Sequence, residues 1–373
     1  LPCNSRTLTL DFKFPPAAIQ LKDKFKETKK IRRDYQMNSK ERVMAVINHQ
    51  KPDRMPCFGA NCMATYEQME KVQAFWPRAH EDGEAMAKVA LASHTILGFD
   101  AVRVPFCQTF EARALGAKIK PGKLPGNMEG IPGIDHPPTF KLDDTPVFPD
   151  NFLSLGFIPE LLKAVRILKK ELGDEVPVIA GIIGPFTLAG SLIDTVPLLK
   201  ATFKAPDKIL PWLELGEKAG TTLAKALIDA GADIICCEDM TASPELIAPK
   251  TYKELELEFQ TKQFDAISVP TILHICGKVD PIVKWMAQTG PDILSLDTKS
   301  NPKDIREICD SDVVLLGGVD VATTLFLHGP EEIKQESKRS IADGIQILAP
   351  GCAVGPGTPT ENLLAMLEVA KAH

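Results

Sequence analysis

Two side chains of metal-ligand type stand two positions apart in a short apolar run. Residues 271–277 read TILHICG, a composition typical of a buried strand. Successive side chains of a strand point to opposite sides, so His274 and Cys276 face the same side. Imidazole and thiolate are ligands that zinc prefers. Taken alone, however, the pair favours a buried histidine beside a core cysteine over a metal site.

Two further residues of ligand type follow predicted strands elsewhere in the chain. Cys352 lies in the sequence APGCA after the last predicted strand, and Asp297 lies in SLDT at the end of another. If these strand ends converge with His274 and Cys276, the four residues supply one nitrogen, two sulfurs and one carboxylate oxygen. That donor set suits tetrahedral Zn²⁺. Asp297 has two alternative roles, as a helix cap or as a hydrogen-bond partner of His274.

Short apolar runs alternate with amphipathic helical patterns over most of the chain. Eight strands followed by helices predict a (β/α)₈ TIM barrel, an α/β fold whose active sites lie at the C-terminal ends of the strands. The ligand-type residues are expected at those ends. The predicted strands are residues 55–60, 99–105, 176–184, 232–238, 269–276, 292–297, 313–319 and 345–350. The clearest predicted helices are residues 159–172, 213–230, 279–289 and 360–372.

Two segments fall outside this alternation. Residues 1–36 carry nine basic and four acidic side chains, and they are predicted to be a poorly ordered N-terminal extension. The single catalytic barrel is then expected at residues 37–373. Residues 116–149 are dense in proline and glycine and predict a long insertion after strand two, where either a lid or an inert loop is possible.

Composition and charge exclude several classes of protein. The 373 residues are 44% hydrophobic and 25% charged, which is ordinary for a globular protein and excludes wholesale disorder. A net charge of −6 gives no basis for a nucleic-acid or membrane surface. The longest uncharged run, residues 176–193, contains prolines and glycines, which predict a strand and a tight turn rather than a membrane span. Nine scattered cysteines and no signal peptide favour the reducing cytoplasm.

Longer motifs strengthen the significance of the ligand-type residues. The sequence HICG at 274–277 with the distant Cys352 resembles the zinc site of the methylcobamide:coenzyme M methyltransferases, which belong to the uroporphyrinogen decarboxylase superfamily of barrels. The segments FDAVRVPFC at 99–107, GPFTLAG at 184–190 and PGTPTEN at 356–362 support the resemblance. It implies that His274, Cys276 and Cys352 are zinc ligands and that Asp297 is an exchangeable fourth. The family usually has Glu there, with one methylene more.

The resemblance also implies an activity. It implies transfer of a methyl group from a methylcobamide, carried as a corrinoid on a partner protein, to a zinc-activated small-molecule thiol such as coenzyme M. The chemistry is consistent, because an ordinary thiol with a pKa near 8.5 is mostly protonated at pH 7 and a metal-bound thiol is deprotonated.

Two other functions fit the same barrel. One is metal-free uroporphyrinogen decarboxylation, whose family has an Arg-rich segment near strand one; residues 57–64 contain no arginine. The other is a non-catalytic barrel that binds a corrinoid protein. Turnover of methylcobalamin with a thiol distinguishes both from the methyltransferase.

Overall fold

The computed structural model describes residues 36–122, 131–309 and 313–373. Seven strands of this part form one parallel sheet in chain order, and two short strands between the first and the second of them form a separate antiparallel pair. The predicted extension at residues 1–36 lies, except for its last residue, outside the described residues. In chain order the strands are β1 (Val102–Val104), β2 (Ile119–Lys120), β3 (Gly133–Ile134), β4 (Val178–Ile183), β5 (Ile234–Glu238), β6 (Thr271–His274), β7 (Ile293–Leu296), β8 (Val314–Val319) and β9 (Ile347–Pro350).

Helices follow most strands of the large sheet, as the predicted alternation requires. They are α1 (Ser39–Ile47), α2 (Tyr66–Val72), α3 (Arg78–Glu81), α4 (Gly83–Thr95), α5 (Phe110–Ala114), α6 (Ile158–Leu172), α7 (Pro185–Ile193), α8 (Thr195–Lys204), α9 (Leu210–Ala230), α10 (Pro249–Thr251), α11 (Leu257–Asp265), α12 (Val283–Gln288), α13 (Pro302–Ile308), α14 (Thr324–Leu327), α15 (Pro330–Ala342) and α16 (Thr360–Ala372). A π-helical turn, Tyr252–Glu256, joins α10 to α11. No helix of the described part is long and apolar enough to span a membrane.

The first predicted strand, residues 55–60, forms only a single bridge, to β9. Cys57 pairs with Leu348 of β9, and the Leu348 N–H donates to the Pro56 carbonyl at 3.0 Å. On the other side, the Asp100 N–H donates to the Cys57 carbonyl at 2.8 Å. Pro56 has no N–H to contribute to a ladder, which explains why a longer strand does not form here. The segment nevertheless lies between β9 and the start of β1, where it completes the eight positions of the barrel. The predicted TIM-type α/β fold is confirmed.

In its described part, the insertion predicted at residues 116–149 has little regular structure. Its described part contains the short hairpin pair in which Ile119 opposes Ile134, and residues 123–130 lie outside the described part. Phe140 packs against Trp212 of α9 with ring centroids 5.7 Å apart. This contact fixes one point of the insertion against the helical layer. Whether the insertion acts as a lid stays a prediction.

Strand side chains divide alternately between two hydrophobic clusters. Ile272 of β6 belongs to one cluster, together with Ile293 of the neighbouring strand, whereas Leu273 belongs to the other. The alternation places His274, two residues after Ile272, on the face of the first cluster. Strands β4, β5 and β8 are buried along their whole length, as expected for a parallel sheet that is covered on both faces.

Asp100 holds the closing segment in place. Its carboxylate is fully buried and accepts hydrogen bonds from the Cys57 N–H at 2.9 Å and from the Ser39 hydroxyl at 2.9 Å. It also forms ion pairs with Arg42 at 2.7 Å and with Arg54 at 2.8 Å. One carboxylate therefore ties α1 and the bridge segment to the start of β1.

Replacing Asp100 with Ala is expected to destabilise the fold by about 3–5 kcal/mol, because two guanidinium groups and a buried amide lose their acceptor. The measurement is the free energy of unfolding from urea titration. Glu258→Ala is the control, since its pair with Lys262 is exposed and is expected to contribute at most about 1 kcal/mol. Equal losses for the two variants would contradict the assigned role of Asp100.

Candidate metal centre

Three ligand-type side chains from two distant strand ends meet at one point. The His274 Nε2 atom lies 3.2 Å from the Cys276 Sγ and 3.6 Å from the Cys352 Sγ, and the two sulfurs are 3.4 Å apart. Among the described residues, this is the one group of three or more His, Cys, Asp or Glu side chains whose ligand atoms converge within 4.8 Å. The structure thus brings together three of the four ligand-type residues that the sequence analysis placed at strand ends.

The barrel topology creates this proximity. His274 ends β6, whereas Cys352 follows the end of β9, and two further strands separate them in the sheet. Because the parallel sheet curls, the C-terminal ends of non-adjacent strands face one another. Gly351 allows the turn before Cys352 to pass close to the neighbouring loop, since a Cβ at this position would lie 2.9 Å from the Thr298 Cγ2.

Ser295 determines which nitrogen of His274 is free. The His274 Nδ1 lies 3.0 Å from the Ser295 hydroxyl oxygen and 3.1 Å from the Ser295 carbonyl oxygen. A carbonyl only accepts hydrogen bonds, so this contact assigns the proton to Nδ1. In the neutral imidazole, the Nε2 lone pair then points to the two sulfurs, which is the arrangement typical of a metal-binding histidine.

The electrostatics of the two cysteines are unequal. The hydrogen bond from Cys276 lowers the pKa of Cys352 well below that of an ordinary thiol, against the effect of burial, and His274 lowers it further. The same hydrogen bond, followed by burial, raises the pKa of Cys276. Burial lowers the pKa of His274, but the hydrogen bond with Cys352 and its charge outweigh burial and give a net increase. The metal-free pair therefore carries one thiolate, centred on Cys352.

Asp297 lies beside the cluster rather than in it. Its Oδ2 accepts a hydrogen bond from the Gly277 N–H at 2.8 Å, and its Oδ1 accepts one from the Lys299 N–H at 3.1 Å. It is not among the converging ligand atoms. Its negative charge nevertheless acts on Cys276 and contributes to raising the pKa of that thiol, after the larger effects of Cys352 and burial. An exchangeable bond from Asp297 to a metal stays a prediction.

A buried ion pair lies next to His274. Arg103 of β1 reaches Glu238 of β5 at 2.8 Å, with both side chains about 2% exposed. The guanidinium crosses β4 where Gly181 leaves room, because a Cβ at residue 181 would lie 2.3 Å from the Nη2 atom. Glu238 also accepts from Gln108 at 2.8 Å and is paired in register with His274. The positive charge of Arg103 is thus neutralised within the fold.

Sequence reasoning missed the supporting residues and had a usable signal for only one of them. Ser295 precedes Asp297 by two positions in the same strand run, so strand alternation alone could have placed it on the same side. Neither the Arg103–Glu238 pair nor the hydrogen bond from the Ser243 hydroxyl to the Cys276 carbonyl, at 2.8 Å, has such a signal, because the partners are more than 30 residues apart in sequence.

The donor set fits a zinc ion. One imidazole nitrogen with a free lone pair and two cysteine sulfurs are the soft and borderline ligands that structural and catalytic zinc sites use. Three protein ligands leave a fourth tetrahedral position for another group, which is the feature that separates catalytic sites from closed structural ones.

The comparisons with known proteins agree with this arrangement. The sequence model described as uroporphyrinogen decarboxylase (URO-D) matches residues 38–373. A relative in Methanosarcina mazei, methylcobamide:CoM methyltransferase MtbA, is 37% identical over 337 residues, which are 90% of this chain and 98% of the relative. Methylcobamide:CoM methyltransferase MtaA of Methanosarcina barkeri (strain Fusaro) is 36% identical over 331 residues, covering 88% and 96%.

A solved structure has the same fold. A methyltransferase from Methanosarcina mazei superimposes with a TM-score of 0.84 at 33% identity. The match covers 90% of this chain and 99% of the other. The similarity therefore extends over the whole barrel and not only over the strands that carry the three ligand-type residues.

In the metal-free protein, Cys352 is expected to react with iodoacetamide at pH 6 well before Cys62, a partly exposed cysteine whose pKa burial raises to about 12. The alkylation rate of Cys352 should change little between pH 6 and pH 8, because its lowered pKa keeps the thiolate populated throughout. Peptide mass spectrometry measures the rates. Equal modification of the two cysteines at pH 6 would refute the unequal charge distribution.

Proposed function

This chain belongs to the uroporphyrinogen decarboxylase family, among its methylcobamide:coenzyme M methyltransferases, and on that basis we propose that it transfers a methyl group from a methylcobamide to a thiol that a zinc ion activates. That it is a methyltransferase follows from its membership. Coenzyme M, which the names of the relatives specify, is the proposed thiol acceptor. The methylcobamide is proposed to arrive as a corrinoid on a partner protein.

One observation carries the proposal, namely the meeting of the His274 nitrogen with the Cys276 and Cys352 sulfurs. These three residues would hold Zn²⁺, and the fourth position would be open to the substrate thiol, with Asp297 beside the cluster. When bound, the ion supplies positive charge that lowers the pKa of a substrate thiol and keeps it as a thiolate near neutral pH.

The residues of the chain support this chemistry in distinct ways. Ser295 keeps the proton of His274 on Nδ1, so that the Nε2 lone pair stays available. Two cysteine thiolates at the site add electron density, which preserves the nucleophilicity of a third, substrate sulfur. Burial of His274 excludes water from one side of the site.

The proposed transfer balances without a further reactant. The substrate thiol releases its proton to solvent and becomes a thiolate. Its sulfur then forms a bond to the methyl carbon while the cobalt–carbon bond of the methylcobamide breaks, and the bonding electron pair stays on cobalt. The products are a methyl thioether and a reduced corrinoid.

The alternative of uroporphyrinogen decarboxylation has less support. That reaction needs no thiolate cluster, and the relatives that cover almost the whole chain are named as methyltransferases. A non-catalytic corrinoid-binding barrel would share the cluster but would not turn over. We assign the activity to residues 37–373 and to the cytoplasm, where reducing conditions keep the cysteines as thiols.

Replacing Cys276 with Ala is expected to lower methyl transfer from methylcobalamin to coenzyme M by more than about 100-fold, because a ligand and its charge are lost. The readout is the change in the cobalamin absorbance with time. Cys309→Ser is the control, since Cys309 follows α13 and lies outside the cluster, and it should retain the wild-type rate. Absence of thiol-dependent turnover in zinc-loaded wild-type protein would refute the enzymatic proposal.

The purified protein is expected to bind about one Zn²⁺ per chain under reducing conditions, with two sulfur scatterers and one nitrogen scatterer from protein at the zinc X-ray absorption edge. Cys352→Ser should lose most of the zinc, since it removes one of two thiolates. Elemental analysis gives the stoichiometry. Full zinc retention in both the Cys276→Ser and the Cys352→Ser variants would exclude the ligand assignment.

A further inference from the structure

Cys276 follows β6 and, like Cys352 after β9, belongs to no regular element. The strand ends at His274, whose carbonyl accepts the Asp239 N–H at 2.9 Å. Cys276 lies two residues further on, and the next residue, Gly277, has a φ of +90°. The hydrogen bonds of the sheet therefore do not determine the direction of the Cys276 side chain. Contacts outside the sheet must therefore hold the Cys276 side chain in place.

Side chains from the two flanking loops hold the peptide group that joins Cys276 to Gly277. The Ser243 hydroxyl, after β5, donates to the Cys276 carbonyl at 2.8 Å. The Asp297 carboxylate, after β7, accepts from the Gly277 N–H at 2.8 Å. The carbonyl and the N–H of this single peptide group are thus held from opposite sides, and rotation of the peptide would break both hydrogen bonds.

Two further residues complete this arrangement. Glu245 accepts from the Lys278 N–H at 3.3 Å and forms an ion pair with Lys299, whose amine lies 2.9 Å from each carboxylate oxygen. The ion pair links the loop after β5 to the loop after β7 across the turn. The turn fits closely beneath it, because a Cβ at Gly277 would lie 2.7 Å from the Glu245 Cδ and 3.0 Å from the Ser243 Oγ.

We propose that Ser243 and Asp297 are positioning residues that clamp the Cys276–Gly277 turn and thereby fix the Cys276 sulfur opposite His274 and Cys352. The inference rests on the proposed function, because it concerns the same zinc site. It gives Asp297 a role that acts through the Gly277 N–H and does not require a bond to the metal. Ser243 becomes part of the site through its hydrogen bond to the Cys276 carbonyl.

The two roles of Asp297 predict different behaviour for an amide at the same position. Asn keeps an oxygen that accepts the Gly277 N–H, whereas it has no charge and is a poor metal ligand. The Lys299 N–H, which would lose its acceptor, belongs to an exposed residue and can turn to water. A clamp is therefore preserved in Asp297→Asn and lost in Asp297→Ala, whereas a metal ligand would be lost in both variants.

The experiment measures the rate at which zinc leaves the full-length zinc-loaded protein to a chromophoric chelator. Ser243→Ala and Asp297→Ala are expected to release zinc at least about 10-fold faster than wild type, as is typical when an outer partner of a metal ligand is removed. Asp297→Asn is expected to stay within about threefold of wild type. The matched control is Ser191→Ala, which removes a hydroxyl that donates to a backbone carbonyl at 3.0 Å in α7, far along the chain from the site.

Thermal unfolding of the zinc-free proteins separates positioning from general stability. Ser243→Ala and Ser191→Ala should melt at the same temperature without zinc, so that the difference in zinc release cannot come from a weaker fold. A Ser243→Ala variant that releases zinc at the wild-type rate would overturn the clamp. So would an Asp297→Asn variant that releases zinc as fast as Asp297→Ala, because that result would show that the charge acts on the metal directly.

The methyl-transfer assay on the same wild-type preparation keeps the two proposals distinguishable. A wild-type protein that holds zinc and shows the expected variant pattern, but transfers no methyl group, would overturn the proposed function and support the clamp. A protein that transfers methyl groups, but in which Ser243→Ala leaves the rate of zinc release unchanged, would support the proposed function and overturn the clamp. A wild-type protein that binds no zinc would overturn both.

Discussion

Closure of the parallel sheet is the constraint on which the candidate site depends. The sulfurs of Cys276 and Cys352 lie 3.4 Å apart although 76 residues separate them in sequence. They meet because strands in sequential order curl until the first and last strands join. That junction consists of the bridge at Cys57, which the buried carboxylate of Asp100 fixes to α1 and β1. The candidate site therefore depends on the hydrogen bonds and ion pairs of Asp100, which hold the closing segment of the sheet in place.

Buried polar groups surround the ligand atoms, and the buried charges among them are paired. Ser295 orients His274, and the ion pair of Arg103 with Glu238 lies beside it. A buried charge without a partner costs several kcal/mol, so these groups are tolerated only because they satisfy one another. The Arg103 guanidinium also offsets the negative charge of Glu238, which contributes to raising the pKa values of His274 and Cys276. The negative charge of the cysteine sulfurs can then act on the positive ion that the site is proposed to bind.

The proposed chemistry needs a rigid set of ligands with one open position. If a substrate sulfur is to occupy that position, the three protein ligands must keep their geometry while it comes and goes. His274 is held by a strand and by Ser295. Cys276 has no strand to hold it, and the contacts of Ser243 and Asp297 with its turn supply the equivalent restraint. His274 and Cys276 are therefore held in different ways, His274 by its strand and by Ser295, and Cys276 by the loops beside its turn.

The sequence by itself determined the alternation of strands and helices, the common direction of His274 and Cys276, and the position of Cys352 and Asp297 at strand ends. These features follow from local periodicity, since a strand exposes every second side chain on the same face. Seven of the predicted strands contain observed ones, and the prediction was wrong only in making residues 55–60 a full strand, where Pro56 cannot join a ladder. Only the tertiary structure decided that Asp297 holds a backbone amide, that Arg103 is neutralised by Glu238, and that Ser243 reaches Cys276. Those contacts join loops from different strands, and their distances depend on how far the whole sheet curls, which no local pattern of residues encodes.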